Sequence, residues 1–397
     1  MTSAHRNGLL VLLTLGACGY SFARPQARGN GKILEVTNSL KIARPETVVE
    51  ISLSDVLAKT GIADPRHVAV EDQSSHQTLA TQIYSSDGSG TADTLLVLVN
   101  LGPKQTIRLA FREALENSAA KALVYGRLVP ERKDDFAWEN EKVAYRVYGP
   151  ALEATGEISS GIDVWSKRVP ALIIDDWYKR DVEGARTKNP ELSYHKDDGT
   201  GLDSYDVGKT RGCGGTGVWL NGKLLVSKNF TSAKILAAGP IRFSFELEYS
   251  PWKADELTLS EKKVITLDAG SHMNKIQSTF SFSGAEGVTI AAGLGMHTGA
   301  IVSSPMEGRI LSVWEPLTDA TAGFDGTSVT LPMGAAAPIV KAEGNAFFVL
   351  NAIAGKPLTY FAGAGWSKSD IPEQKAWNDY LREFILAQDH PLEIHWK

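Results

Sequence analysis

Residues 241–249 alternate strictly: Ile241, Phe243, Phe245, Leu247 and Tyr249 are apolar, and Arg242, Ser244, Glu246 and Glu248 between them are polar. A period of two sends each kind of residue to its own face, so the segment predicts a half-buried antiparallel strand. Ile276, Phe280 and Phe282 repeat the pattern. Val218-Trp219-Leu220 and Leu224-Leu225-Val226 flank Asn221-Gly222, a dipeptide that favours a two-residue hairpin turn. Apolar runs at 144–148, 162–165, 288–291, 310–314 and 347–352 are further candidate strands. No helical pattern alternates with them, which disfavours a parallel α/β architecture.

One helix is predicted, over residues 371–388. Trp377, Leu381, Phe384 and Ile385 share a face at helical spacing, and Tyr380 widens it. Asp370 and Glu373 read as a capping box, with Pro372 in the first turn. Residues 30–115 read as a separate small β unit with strands at 48–53 and 95–99. Residues 116–130 read as a linker, with the Ala-rich stretch 113–122 a connector or short helix. Residues 131–397 then form the larger β domain. The loop 85–93 carries only Asp87 and Asp93, fewer carboxylates than a good calcium loop, and reads as a hairpin turn.

His5 and Arg6 precede an apolar run from Leu9 to Leu15, the pattern of an export signal and too short to span a bilayer. Two cleavage readings stand. Ser21-Phe22-Ala23 gives a signal peptide of residues 1–23; Leu15-Gly16-Ala17-Cys18 gives cleavage before Cys18 and a lipid-bearing cysteine. Both place the chain in the periplasm or anchored to the outer membrane, with membrane contact only through lipid at Cys18.

Lysine and arginine number 41 against 46 aspartates and glutamates, a net charge of −5. That balance gives no general affinity for nucleic acid, so an acidic ligand must be held by local cations. Beyond the signal region only Cys213 remains, which excludes an intramolecular disulfide. Its setting between Gly212 and Gly214 reads as a small packed residue in a tight turn rather than a nucleophile. There is no phosphate loop, dinucleotide fingerprint, nucleophile elbow or His-Glu-x-x-His motif, and the histidines are scattered. No cofactor is expected. A divalent cation is the alternative to arginine for neutralising an acidic substrate.

Residues 191–215 concentrate the chemistry: Tyr194, His195, Lys196, Asp197, Asp198, Asp203, Tyr205, Asp206 and Arg211 lie among glycines. So polar a segment should lie on a surface or line a cleft. Proton-transfer groups beside cations suit reactions of an acidic sugar.

Three stretches carry a family resemblance: Asp134–Asn140 with Ala144–Pro150, Tyr194–Gly215, and Val226-Ser227-Lys228-Asn229-Phe230. They resemble a family of exported bacterial proteins catalogued as a domain of unknown function and associated with polysaccharide-utilisation clusters. At least one member is an ulvan-oligosaccharide dehydratase. The resemblance implies a mainly β fold: a small N-terminal β unit, then a large antiparallel sandwich similar to the galactose mutarotase supersandwich, with a C-terminal helix. It implies an acidic oligosaccharide as partner and a carbon–oxygen lyase reaction on its terminal uronic acid, leaving a 4,5-unsaturated ring. That reaction needs a base near C5, an acid near O4 and cations on the carboxylate.

On that template His195 is base or acid, with Tyr194 or Tyr205 as counterpart. Neighbours on an extended strand face apart, so His195 with Tyr205 is the preferred pair. Arg211, Lys196 and Lys228 are candidates for the substrate carboxylate, Arg211 first because its fork matches a carboxylate. Trp138 is a candidate sugar platform, Asn140 a donor and His297 a second imidazole. Alternatives are a non-catalytic glycan-binding protein and a mutarotase or epimerase. Asp197, Asp198, Asp203 and Glu139 keep glycoside hydrolysis open.

Overall fold

A computed structural model describes residues 32–114 and 121–397. The signal peptide and Cys18 lie outside the described residues. The fold is mainly β, built from antiparallel sheets with a long C-terminal helix.

The largest sheet has eight strands, in the order Ser232–Ala238, Arg242–Ala254, Leu257–Asp268, Met273–Phe282, Pro357–Trp366, Phe324–Thr330, Ile310–Pro316, Ile301–Ser303. The alternation at 241–249 does what its period dictates. Phe243, Phe245, Leu247 and Tyr249 are buried, and Glu248 faces out. Two five-stranded sheets cover the inner face. One carries Asp135–Asn140 and Ala144–Val147, the other Cys213–Leu220, Val288–Gly295 and Asn345–Ala352. Aromatic rings join the layers: Phe136 stacks on Phe245 at 4.3 Å and Trp138 meets Phe245 at 4.8 Å. The Asn221-Gly222 turn is a tight hairpin with both residues at positive φ, pairing Leu220 with Lys223.

The first part of the described chain builds its own core, from Leu34 through Val49, Val97 and Leu109 to Phe111. The loop 85–93 closes a hairpin between Thr81–Tyr84 and Thr94–Leu101, and its two aspartates accept hydrogen bonds from serines. Among the described residues, no group of three or more His, Cys, Asp or Glu side chains is arranged to hold a metal ion. Nor is any helix among them long and apolar enough to cross a membrane.

Several sequence expectations need correction. The linker at 116–130 contains a strand, Val124–Val129, paired with Asp135–Asn140; Val124 buries in the largest core and Val129 in the cluster around Trp165 and Trp177. The last strand, Glu393–Trp396, pairs with Ile33–Thr37, so the chain's end returns to the first unit. The helix runs Gln374–Asp389, and its cap residue Glu373 makes no side-chain cap bond. No capping box forms, since Asp370 faces His272 instead, Oδ1 to Nε2 3.2 Å. A second long helix, Ile174–Thr187, was not expected. It buries Ile174, Trp177, Tyr178 and Gly184, and its first turn is held by Glu139, which accepts from the Ile173 and Ile174 amides at 2.7 and 2.9 Å.

Cys213 is a packed core residue whose thiol burial pushes far up. Beside it Gly212 has φ +58, and a Cβ there would stand 2.1 Å from the Ile162 carbonyl oxygen. Both the backbone conformation and the space demand glycine. Gly212→Ala is therefore expected to cost about 3 kcal/mol, read as a lower urea midpoint with unchanged slope.

Candidate functional site

Tyr194 and His195 lie in a turn that follows the 3-10 helix Pro190–Leu192. The turn is pinned rather than loose. Arg168 pairs with Asp197, Arg180 with Asp198, and Trp177 Nε1 donates to Thr200 Oγ1 at 3.1 Å. Because the segment is a turn and not a strand, its neighbouring side chains do not diverge. The Tyr194 and His195 rings meet edge-on at 4.7 Å. The geometric reason for preferring His195 with Tyr205 therefore falls.

His195 is 59% exposed. Its Nδ1 lies 2.9 Å from the Asp203 carbonyl oxygen, which can only accept, so Nδ1 carries the proton there. The Asp203 carboxylate lies 3.6 Å from the same Nδ1, and Nε2 is left without a hydrogen-bond partner among the described residues, the lone-pair nitrogen of this tautomer. Beneath it, the buried Tyr194 hydroxyl accepts from Arg132 Nε at 3.2 Å and Arg146 Nη1 at 3.1 Å. Burial raises the phenol's pKa, with both guanidiniums opposing it, so the hydroxyl stays protonated.

Arg146 organises the floor. It sits directly across the strands from Asp163 and donates to Asp163 Oδ2 from Nε at 2.9 Å. Its Nη2 donates to Asp163 at 2.5 Å and to Asp203 Oδ2 at 2.9 Å, and Asp135 lies 3.9 Å from Nη1. Trp165 and Tyr148 rings sit 5.2 Å from the guanidinium. Three carboxylates thus share Arg146, with Arg132 nearby. Burial pushes Asp135 up to about 6, against the pull of Arg146 and Arg132. Asp163 and Asp203 are also raised, by burial first, and Asp163 further by the charge of Asp203.

Arg132 differs from Arg146. It is half-buried, and its two outer nitrogens make no hydrogen bond among the described residues. It is a fixed cation with unused donors beside the Tyr194–His195 pair.

The other expected residues fall elsewhere. Arg211 lies inside the sandwich, bonded to Ser160 Oγ at 2.9 Å and to the Thr216 carbonyl at 3.1 Å. Burial lowers it to about 10. It braces the glycine-rich turn and does not meet His195 in a cleft. Trp138 is fully buried, with Nε1 on Asn274 Oδ1 at 2.8 Å, so it is core and not platform. Asn140 spends its amide on the Asp268 and Ser271 carbonyls at 2.8 and 2.7 Å. Lys196 pairs with Glu191, and Lys228 with Glu153 at 2.8 Å.

Tyr205 is buried with an unpartnered hydroxyl, and its ring stands edge-on to His297 at 5.4 Å. His297 Nδ1 lies 2.8 Å from Glu315 Oε1 and Nε2 2.5 Å from the Asp206 carbonyl. The Asp206 carbonyl can only accept, so Nε2 carries a proton, and Nδ1 faces the Glu315 carboxyl group. The Glu315 bond raises the imidazole pKa. Both ring nitrogens of His297 are engaged within the protein, so it has no open nitrogen to offer as a base.

Asp325 shows the same tendency without a cation. Ser166 Oγ reaches its two oxygens at 2.9 and 2.7 Å, and burial pushes it up to about 7. A carboxyl raised above its ordinary 3.8 contributes stability that is complete below that value and lost as pH rises through about 7. Asp135, Asp163, Asp203 and His297 are raised as well and act in the same direction. The chain should therefore melt higher at pH 6 than at pH 8. The advantage of Asp325→Asn over the parent is expected to be larger at pH 8 than at pH 5 by on the order of 3 kcal/mol. Denaturation curves at the two pH values check this.

Arg132, Arg146, Asp135 and Asp163 were not singled out from sequence. One signal was present: the apolar run 144–148 carries Arg146 in its middle, and a charge inside a buried strand calls for a buried carboxylate partner.

Comparison with known proteins gives three findings. The family profile described as "Domain of unknown function (DUF4861)" matches residues 36–394. A relative from Formosa agariphila, named "Uncharacterized protein P7", is 34% identical over 382 residues, covering 91% of this chain and 93% of its own. Among solved structures, a protein in the Glycosyl Hydrolase Family 38 from Enterococcus faecalis superposes with TM-score 0.48 at 10% identity, over 92% of this chain and 47% of its own. An alpha-mannosidase from Enterococcus faecalis V583 gives 0.46 at 10% identity, over 92% and 46%. The chain spans about half the length of these two solved structures.

Proposed function

Because the chain belongs to the DUF4861 family, whose description names no reaction, we propose its function from the site: it dehydrates the terminal uronic acid of an acidic oligosaccharide. The observation that carries this reading is Tyr194, whose hydroxyl accepts from Arg132 Nε at 3.2 Å and whose ring meets the exposed His195 imidazole edge-on at 4.7 Å.

In this reading Arg132 grips the sugar carboxylate and stabilises the charge that builds on it as the C5 proton leaves. His195 Nε2 takes that proton. The electron pair forms the C4–C5 double bond, the C4–O bond breaks, and the departing hydroxyl receives a proton to leave as water. His195 is an exposed imidazole in the turn and can both take and return a proton. One imidazole can do both only if C5–H and C4–OH lie on the same face, so a syn elimination is expected. Tyr194 is a positioning residue: its hydroxyl holds Arg132 and its ring supports the imidazole. Asp203, clamped by Arg146, fixes the imidazole tautomer.

Purified protein mixed with saturated, uronic-acid-capped oligosaccharides should produce a near-ultraviolet absorbance rise. No rise across ulvan, pectin and glycosaminoglycan fragments would refute the reading.

A further inference from the structure

A groove of about 780 Å³ runs along the outer face of the eight-stranded sheet. It lies between the first β unit and the C-terminal helix, and none of the residues of the Tyr194–His195 site lines it. Its size falls within the range of ligand clefts. Its floor is the polar side of strands Ser232–Ala238, Arg242–Ala254, Leu257–Asp268 and Met273–Phe282.

The charges there divide into two sets. Arg242 is satisfied by Asp268 at 2.6 Å and Glu50 at 2.7 Å, and Lys262 by Glu246 at 3.1 Å. Lys234 and Lys275 form no ion pair or hydrogen bond among the described residues, and both are exposed. Arg44 donates through Nη1 to the His390 carbonyl at 2.9 Å and keeps a buried Nε without a partner. Two exposed lysines with unused donors, with the Arg44 cation nearby, therefore line one groove of a chain whose net charge is negative.

We propose that this groove binds an acidic oligosaccharide, carrying sulfate or carboxylate groups, at a place separate from the Tyr194–His195 site. Lys234 and Lys275 stand three strand spacings apart, about 15 Å with their register offset. A ligand with two anionic groups along an extended chain would place one at each lysine. Glu246, Asp268 and Gln277 lie between and beside the cations. Glu246 and Asp268 are already paired with Lys262 and Arg242, but their remaining lone pairs accept from sugar hydroxyls, and the Gln277 amide can donate or accept. Free cations interspersed with hydroxyl acceptors are what an acidic glycan, carrying both anionic groups and hydroxyls, would use. This site does not depend on the elimination reading, since a chain without activity would still bind here.

The test is calorimetry of the full chain with three hexasaccharides: sulfated, uronate-only and neutral. The proposal expects binding of at least one anionic hexasaccharide, and none of the neutral one. Which anionic sugar binds more tightly identifies the group that is read. Lys234→Ala/Lys275→Ala should weaken binding at least tenfold, and Arg44→Gln should weaken it with the fold intact by circular dichroism. His195→Ala, which leaves the groove untouched, should bind as the parent does. Unchanged affinity in the lysine double variant, loss of binding in His195→Ala alone, or no binding of either anionic hexasaccharide would each overturn it.

Discussion

Arg146→Met is expected to lower the unfolding free energy by about 3–5 kcal/mol at pH 8. The guanidinium is 6% exposed, and its partners Asp163 and Asp203 are 0% and 3% exposed. Removing it leaves buried carboxylates with only Arg132 nearby, and an uncompensated buried charge is what makes breaking such a network costly. The loss should shrink toward pH 5, because protonation then supplies the neutralisation that the guanidinium supplied. Arg146→Lys keeps the charge but cannot span two carboxylates with a planar fork, so it should fall between parent and Met variant. Urea midpoints at pH 5 and pH 8 measure all three. A loss under about 1 kcal/mol at pH 8 would mean that Arg146 is not what holds these aspartates.

His195→Ala should behave in the opposite way, with stability within about 0.5 kcal/mol of the parent because the side chain is largely exposed. On an acidic oligosaccharide its kcat should fall by about 10²–10⁴, the range for a general acid–base group. Tyr194→Phe should act through Arg132, raising KM more than it lowers kcat, since it frees the guanidinium that grips the carboxylate. Equal kcat in the parent and His195→Ala would remove the imidazole from the reaction.

The strands were legible because a period of two is a direct consequence of the pleat, and each apolar position at 243–249 found the core. The helix Ile174–Thr187 was hidden. Its buried stripe is short, and charged residues fill the outer face, so no long apolar periodicity marks it. Tyr194 and His195 stood out by composition, but their relation depended on backbone conformation. An extended segment separates them; the turn brings their rings together. Arg211 was misplaced for a related reason. The glycines at 212 and 214 take positive φ and let the backbone pass close to Ile162 and Ala362, which carries a polar-looking segment into the interior. The Arg146–Asp163 pair arises from cross-strand register, which joins residues far apart in the chain.

The most direct test is proton NMR of a saturated, uronic-acid-capped oligosaccharide incubated with the purified chain. A vinylic H4 signal should appear with the parent, grow in step with loss of the H5 signal, and be absent with His195→Ala. A substrate spectrum that stays unchanged, or a vinylic signal produced equally by both proteins, contradicts the account.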